Sequence, residues 1–243
     1  SAGQSILLLA PTGAGKTLSG FLPSLIDLSH APRNGLHTLY LSPIKALAVD
    51  IARNLEAPIN EMGLPISVET RTGDTPQAKR NRQRSAPPNM LMTTPESLEL
   101  MLSWPDAEKL FGSLKLIIID EIHALSGTKR GDLLSLSLSA LRHLAPQSQS
   151  IGLSATVGAP DRFRSWLSAQ PEKVCILQPK LTKTIDLSIL ETETERLPWS
   201  GHGGLYAAAE IYKLIVKYRP CLIFVNTRAQ AELMFQALWV HND

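Results

Sequence analysis

The segment Ala10-Pro-Thr-Gly-Ala-Gly-Lys-Thr17 restricts the fold of this chain more than any other. It follows a short apolar run, Ser5–Leu9, that is typical of a buried parallel strand. A helical pattern over Thr17–Leu28 comes directly after it. A strand, a glycine-rich turn, Lys-Thr and a helix in this order predict a loop that holds phosphate groups. We therefore expect an α/β fold built around a parallel sheet.

The positions of this loop suit the parts of a bound nucleotide. Gly13 and Gly15 allow a tight turn that presents backbone N–H groups to phosphate oxygens. Lys16 would reach the outer phosphates, and the Thr17 hydroxyl would bind Mg²⁺. Ala10 departs from the usual pattern, which begins with glycine, and the alternative is an ordinary glycine-rich turn before a helix. The predicted nucleotide-binding residues are Pro11, Thr12, Gly13, Ala14, Gly15, Lys16 and Thr17.

A second apolar run, Leu116–Ile119, ends in two carboxylates, Asp120 and Glu121. Open parallel sheets bind ligands at the carboxyl ends of their strands. Asp120 suits contact with Mg²⁺ through water, and Glu121 suits the orientation and deprotonation of an attacking water. These two residues and Lys16 are the predicted catalytic groups. His123 could sense the γ-phosphate or link this site to a neighbouring loop, although a lone histidine is more often structural.

Composition limits the class of protein. The chain has 243 residues, of which 44% are hydrophobic and 19% charged, and a formal net charge of +2. These values are typical of a soluble globular protein, and no run reaches transmembrane length. Cys175 and Cys221 lie in no metal-spaced pair and fit a reducing compartment, so we expect a cytoplasmic location without membrane association. The near-neutral charge gives no support for nucleic-acid binding.

Apolar runs alternate with helical patterns along the chain. Strands are predicted at Ser5–Ala10, Thr38–Ser42, Ile66–Thr70, Met90–Thr93, Leu116–Asp120, Ser150–Ser154 and Lys173–Leu177. Helices are predicted between them, at Ala46–Asn60, Pro95–Ser103 and Asp132–Leu144. This alternation predicts a doubly wound parallel sheet over residues 1–178. A second series, at Thr184–Leu190 (strand), Tyr206–Tyr218 (helix), Cys221–Val225 (strand) and Ala229–Trp239 (helix), predicts an incomplete second α/β domain over residues 179–243.

Further segments, taken with the two nucleotide motifs, resemble a superfamily 2 helicase of the large helicase-related group. Within that group the chain is most similar to bacterial ligase-associated DEXH-box helicases. The segments that carry the resemblance are Leu41–Asp50 (motif Ia), Arg71–Pro76 (Thr-Gly-Asp), Thr93–Leu98 (motif Ib), Gly152–Thr156 (motif III) and Leu222–Arg228 (motif IV). Five elements in the family order cover nearly the whole chain.

The resemblance implies two RecA-like domains, with ATP and Mg²⁺ in the cleft and single-stranded DNA across both. It implies nucleic-acid contacts by Pro43, Lys45, Thr72, Gly73, Thr94 and Pro95 in the first domain, and by Asn226, Thr227 and Arg228 in the second. It also implies that the nucleotide site is coupled to strand movement through His123, Ser154, Ala155 and Thr156. Helix capping is the alternative role for Ser154 and Thr156, and for residues 226–228.

The basic run Lys79–Arg84 has two interpretations, a solvated helix face, which is the commoner case, and a DNA contact. The resemblance also implies that an adenine-recognising segment precedes Ser1 and that catalytic arginines follow Asp243. We therefore expect a piece of a longer protein with little activity by itself.

The predicted function is an ATP-dependent DNA helicase or translocase, in DNA repair and in a bacterial cytoplasm, with a possible ligase or nuclease partner. The alternatives are an RNA helicase, an ATP-gated nucleic-acid-binding module without unwinding, and a small-molecule kinase. A kinase would need an acceptor site and a lid, which the sequence does not indicate.

Overall fold

The computed structural model describes residues 4–11, 13–155, 159–179, 186–190 and 204–241. The chain divides into two compact units, Ser1–Leu181 and Thr182–Asp243. The first unit carries the sheet and both predicted nucleotide motifs. Each unit is described by itself below.

Among the described residues of the first unit, seven strands form one sheet: β1 (Ile6–Leu9), β2 (Thr38–Leu41), β3 (Val68–Arg71), β4 (Met90–Thr93), β5 (Leu116–Ile119), β6 (Gln149–Ser154) and β7 (Cys175–Leu177). Their order across the sheet is β3-β4-β2-β5-β6-β1-β7, and all the neighbouring pairs are parallel. The structure confirms the predicted doubly wound parallel sheet. The strand ends are shifted slightly from the predicted ones.

The central strands are buried on both faces, which explains why they read as continuous apolar runs. All four residues of β5 are buried, as are those of β2 and β4. Successive side chains point to opposite faces, so Leu39 and Leu41 enter one core cluster while Tyr40 enters the other. Tyr40 therefore places a phenolic hydroxyl inside an otherwise apolar layer, where it requires a partner.

The described part of the first unit contains eight α-helices around the sheet: α1 (Lys16–His30), α2 (Lys45–Glu61), α3 (Gln77–Ser85), α4 (Pro95–Leu102), α5 (Ala107–Phe111), α6 (Ile122–Leu125), α7 (Lys129–Leu144) and α8 (Arg164–Leu167). Helices α1 and α2 supply the core of one face, and α4, α5, α7 and α8 supply that of the other. Among the residues that the structure describes, no helix combines the length and apolar character needed to cross a membrane.

The parallel arrangement places the carboxyl end of every strand at one edge of the sheet. Strands β5, β6 and β1 are neighbours, so the segments after them lie side by side: Asp120-Glu121, Ala155 and the phosphate loop. Strands β3, β4 and β2 are also neighbours, and they deliver Thr72, Thr94 and Ser42-Pro43 to the same edge. The sheet thus separates the predicted nucleotide segments from the predicted nucleic-acid segments, with β2 beside β5 at the boundary.

The second unit contains two α-helices within the described residues, α9 (Ala208–Lys217) and α10 (Arg228–Trp239). They pack on each other and bury Met234. The strand prediction at Cys221–Val225 is wrong, because this segment pairs with no strand among the described residues and leaves Phe224 89% exposed. Residues 186–190 also form no strand, and the rest of the predicted strand Thr184–Leu190 lies outside the described residues. An apolar, alternating segment becomes a strand only where another backbone completes its ladder.

Gly131, in the first turn of α7, tests the packing between α6 and α7. A Cβ at this position would lie 2.1 Å from the Leu125 carbonyl oxygen and 2.9 Å from Cη2 of Trp166. We expect Gly131→Ala to lower the free energy of unfolding by about 1–3 kcal/mol, as overpacking does, because a backbone oxygen cannot move aside like a side chain. Urea unfolding of the purified chain measures this.

Leu136→Ala on the same helix is the matched control, since Leu136 is 70% exposed. Its free energy of unfolding should change by less than about 0.5 kcal/mol. Equal effects of the two substitutions would contradict the close approach of α6 and α7.

Candidate functional site

The phosphate loop has the backbone geometry that its glycines predict. Gly13 and Gly15 have φ of +80° and +75°, in the left-handed region that favours glycine. A Cβ at either position would meet no atom within 4 Å, so conformation rather than space requires glycine here. Helix α1 begins at Lys16, which directs its free N–H groups toward the loop. Thr12 lies outside the described residues.

Lys16 is held inside this loop. Only 7% of its surface is exposed, and its Nζ donates a hydrogen bond of 2.6 Å to the carbonyl oxygen of Ala10. This neutral oxygen is a weaker partner for an ammonium group than a phosphate oxygen. The ammonium group is therefore positioned at the loop and can exchange one oxygen partner for another.

Asp120 is fixed at the end of β5 by two donors. Its Oδ2 accepts a hydrogen bond from the Tyr40 hydroxyl, and its Oδ1 accepts one of 2.8 Å from the backbone N–H of Glu121. Burial, and then the charge of Asp120, raise the pKa of Tyr40 far above its usual range, so the phenol stays a donor. Sequence reasoning missed Tyr40. The available signal was a tyrosine inside an otherwise apolar buried strand.

Glu121 adopts a strained backbone conformation. Its φ of 45° and ψ of 42° lie in the left-handed region, and it is the one non-glycine residue with positive φ among those described. Such strain persists only where the surrounding structure enforces it, and it is common at functional sites. The residue lies at the junction of β5 and α6, and its side chain remains 30% exposed.

His123 joins the carboxylate segment to the end of β6. Its Nδ1 lies 3.3 Å from Oε2 of Glu121 and 2.9 Å from Oγ of Ser154. The backbone oxygen of Ser154 in turn accepts a hydrogen bond of 3.1 Å from the N–H of Ala10, at the start of the phosphate loop. Three predicted segments are thus connected through direct contacts. Ala155 follows at the bend after β6, and Thr156 lies outside the described residues.

A cavity of about 590 Å³ collects the predicted nucleotide residues. Its polar end is lined by Gly13, Gly15, Lys16, Thr17, Asp120 and Glu121, and α1 and α2 supply an apolar wall. Pro11 and Ala14 belong to the loop but do not line this cavity. The described residues contain no cluster of three or more histidine, cysteine or acidic side chains that could hold a metal. The Thr17 hydroxyl and the Asp120 carboxylate on this cavity instead fit Mg²⁺, which keeps several waters and binds substrate phosphates.

A groove of about 650 Å³ lies on the other half of the same edge. Four of the six predicted first-domain contacts, Pro43, Lys45, Gly73 and Thr94, line it. Thr72 lines an adjoining cavity that also contains Lys45, whereas Pro95 is buried at the start of α4. The groove also contains Glu96 and Arg130, which sequence reasoning did not select and which no sequence signal distinguishes.

The basic helix α3 is occupied by contacts within the protein. Lys79 and Arg82 lie near Glu69, at 3.9 and 2.7 Å, and Arg84 pairs with Asp106. The Arg80 guanidinium donates to the backbone oxygens of Thr72 and Gly73. This run is therefore more than a solvated face, because Arg80 supports the loop after β3.

In the second unit, the predicted contact residues surround the start of α10. The Thr227 hydroxyl accepts a hydrogen bond of 3.2 Å from the N–H of Gln230, and the N–H of Asn226 donates to Oε1 of Gln230 at 3.0 Å. Thr227 is thus the N-cap, the alternative role that the sequence left open, and Arg228 is exposed at the first helical position.

A sequence profile of the DEAD/DEAH box helicases matches residues 1–163, which include both nucleotide motifs and β6. This chain belongs to the DEAD/DEAH box helicase family. The predicted superfamily is therefore confirmed. A similar curated relative is the Lhr helicase/probable uracil glycosylase of Mycolicibacterium smegmatis, 39% identical over 98% of this chain. Another is the ATP-dependent helicase Lhr-Core of Methanothermobacter thermautotrophicus, 36% identical over 95% of it.

Solved helicase structures agree with this assignment. Mycobacterium smegmatis helicase Lhr bound to single-stranded DNA and AMP-PNP aligns with 98% of this chain, with a TM-score of 0.77 and 39% identity. The DUF1998 helicase MrfA bound to DNA and AMPPNP aligns with 97% of it, with a TM-score of 0.73 and 26% identity. The chain spans 17% and 29% of the two curated relatives and 32% and 33% of the two solved chains.

The hydrogen bond between Tyr40 and Asp120 yields a prediction about stability. Tyr40→Phe keeps the ring but removes a donor from a buried carboxylate. We expect the free energy of unfolding to fall by about 1.5–3 kcal/mol, the range for hydrogen bonds to charged groups. Urea unfolding at neutral pH measures it. Tyr218→Phe is the control, because Tyr218 is 57% exposed and should tolerate the change. Equal stability of the two variants would mean that the hydroxyl does not stabilise Asp120.

Proposed function

We propose that this chain is the ATP-binding and first strand-binding part of an ATP-dependent DNA helicase or translocase. The observation that carries the proposal is the contact of His123 with both Glu121 and Ser154, on an edge where the nucleotide cavity and the groove lie side by side. The family assignment and the AMP-PNP and DNA named for the solved relatives support ATP and DNA as the ligands.

The residues around the cavity suggest how ATP would be held and split. Lys16 would leave the Ala10 oxygen for the outer phosphate oxygens, whose negative charge makes them the stronger acceptors. Thr17 and Asp120 would hold Mg²⁺, which supplies charge neutralisation at the phosphates. Tyr40 keeps the Asp120 carboxylate in place for that role. Glu121 would orient the attacking water and take its proton.

The groove suits the backbone of single-stranded DNA. Lys45 offers a cation, Thr94 a hydroxyl, and the loop at Gly73 backbone groups. Such groups bind phosphate and sugar without reading the bases, so binding would not depend on sequence. Asn226, Thr227 and Arg228 in the second unit are also proposed to contact nucleic acid.

Coupling would pass through the contacts at the carboxyl edge. The hydrogen bond between His123 and Ser154 joins the segment after β5 to the end of β6, and Ser154 in turn contacts the start of the phosphate loop. A change in the position of Glu121 during hydrolysis would therefore reach Ser154 and Ala155. A ligase or nuclease partner, a role in DNA repair and a bacterial cytoplasmic location remain predictions from the resemblance.

The ATPase proposal is tested by separating nucleotide binding from turnover in the full-length protein. Glu121→Gln should keep Mg·ATP affinity while lowering the ATPase rate by about 10²–10⁴-fold, the usual cost of losing a positioned base. Lys16→Ala should weaken Mg·ATP affinity, because it removes the cation at the phosphates. Calorimetric titration and steady-state ATPase assays measure the two quantities. Wild-type turnover of the Glu121→Gln variant would show that Glu121 is not the general base.

The strand-binding proposal predicts a dependence on salt. Binding of a labelled oligothymidylate, measured by fluorescence anisotropy, should weaken as salt rises. Lys45→Ala should make the slope of log K against log salt shallower by about 0.7, the value for one charge on a single strand. Lys115→Ala is the control, since Lys115 precedes β5 at the opposite edge of the sheet and is exposed.

Equal salt slopes for Lys45→Ala and Lys115→Ala would show that Lys45 does not contact the strand. The same measurements with an RNA oligonucleotide of equal length test the alternative. Tighter binding of RNA than of DNA, with stimulation of the ATPase by RNA and not by DNA, would indicate an RNA helicase.

A further inference from the structure

The groove contains two cationic side chains among its described lining residues, and each is paired with a carboxylate. Nζ of Lys45 lies 3.2 Å from both oxygens of Asp74. The Arg130 guanidinium meets Glu96 through two nitrogens, with Nε 2.5 Å from Oε1 and Nη2 3.3 Å from Oε2. The second contact is a two-pronged pair between planar groups, which is also the geometry with which arginine binds phosphate.

Arg130 is held rigidly relative to the carboxylate segment of the nucleotide site. It is the second residue of α7, whose start is capped by Thr128: this hydroxyl accepts from the N–H of Gly131 and donates to the Leu125 carbonyl oxygen. Leu125 ends α6, and α6 begins directly after Glu121. The close approach at Gly131 leaves no space between the two helices. One short helix, α6, and the Thr128 cap thus connect Glu121 to Arg130.

Glu96 also lines the groove, in the first turn of α4 and directly after Pro95, and α4 packs against α7. Half of its side chain is exposed, as is 43% of that of Arg130, so a solvated anion can reach both groups. Burial opposes ionisation, but hydrogen bonds from Arg130, from the backbone and from Thr94 hold the pKa of Glu96 below its usual value. At neutral pH the carboxylate is an anion beside the predicted path of another anion.

We propose that Arg130 binds a backbone phosphate of the strand, and that Glu96 occupies the phosphate position when no strand is bound. This inference rests on the proposed function of the groove. Glu96 keeps Arg130 oriented across the groove, and it lowers the affinity for DNA, because the strand must displace it. A carboxylate that competes with phosphate lowers the affinity of Arg130 for phosphate without removing the cation. Such weakened binding suits a protein that must release one phosphate before it binds the next. The ligand class is a phosphodiester backbone, with no contact to bases.

The alternative is that the Arg130–Glu96 pair only ties α4 to α7. The two roles predict opposite changes in DNA affinity when Glu96 is replaced by glutamine. A structural tie predicts that Glu96→Gln leaves DNA affinity unchanged or weaker, with lower stability. A competing carboxylate predicts that the same substitution tightens DNA binding, because the strand then no longer has to displace an anion from Arg130.

The test is fluorescence anisotropy of the full chain with a labelled oligothymidylate over a range of salt concentrations, with thermal unfolding of each variant. Arg130→Ala should weaken binding and make the salt slope shallower by about 0.7. Arg130→Lys should restore the slope, because charge is retained. Glu96→Gln should tighten binding up to about fivefold, the size expected for one exposed ion pair. The double variant should bind like Arg130→Ala, because the gain requires the arginine.

The matched controls are Asp27→Asn and Arg33→Ala, which break an ion pair of similar exposure before β2, at the opposite edge of the sheet. Neither should change affinity or slope. A folded Glu96→Gln variant with unchanged or weaker binding, or an unchanged slope for Arg130→Ala, would overturn this inference. If Lys45→Ala still lowers the slope, the groove itself stands and only the role of Arg130 and Glu96 fails. If neither cation affects binding, the proposed strand path fails.

Discussion

The parallel ladder at the centre of the sheet is the constraint on which this structure depends. Because every strand runs in the same direction, every strand end that bears a motif arrives at one edge. The order β3-β4-β2-β5-β6-β1 then divides that edge into a nucleotide half and a groove half. A single reversed strand would remove its motif from the site. Paired strands lie about 4.8 Å apart, so the two halves meet where β2 pairs with β5.

A side-chain hydrogen bond crosses the boundary between the two halves. Tyr40 belongs to β2, whose end leads to the groove, and Asp120 follows β5, whose end leads to the nucleotide cavity. The bond satisfies a phenol that burial would otherwise leave unpaired, and it fixes a carboxylate that burial would otherwise penalise. His123 makes the corresponding link on the other side, to Ser154 at the end of β6. Contacts between strand ends therefore hold the site together, in addition to the contacts within the carboxylate segment.

The charges near the groove follow a common pattern, in which cations are paired before any strand binds. Lys45 contacts Asp74, Arg130 contacts Glu96, and Arg82 on α3 contacts Glu69. Exposed pairs of this kind contribute little to stability, because water screens them. Their effect is to lower the free positive charge, which agrees with the formal net charge of +2. Under the proposed function, these cations would exchange a carboxylate for a phosphate when a strand binds.

The sequence by itself determined the strands and the longer helices α1, α2, α4 and α7 of the first unit, the phosphate loop, the two carboxylates and the family, because these depend on local spacing and on the burial of apolar runs. Only the tertiary structure decided which polar groups meet. Tyr40 and Asp120 are far apart in the chain, as are Arg130 and Glu96, and residue types alone do not select such partners. The same limit explains the error at Cys221–Val225, since strand formation requires a neighbouring backbone that no local pattern supplies. Hydrogen bonds and ion pairs act over a few ångströms, so the fold determines which groups come close enough to form them.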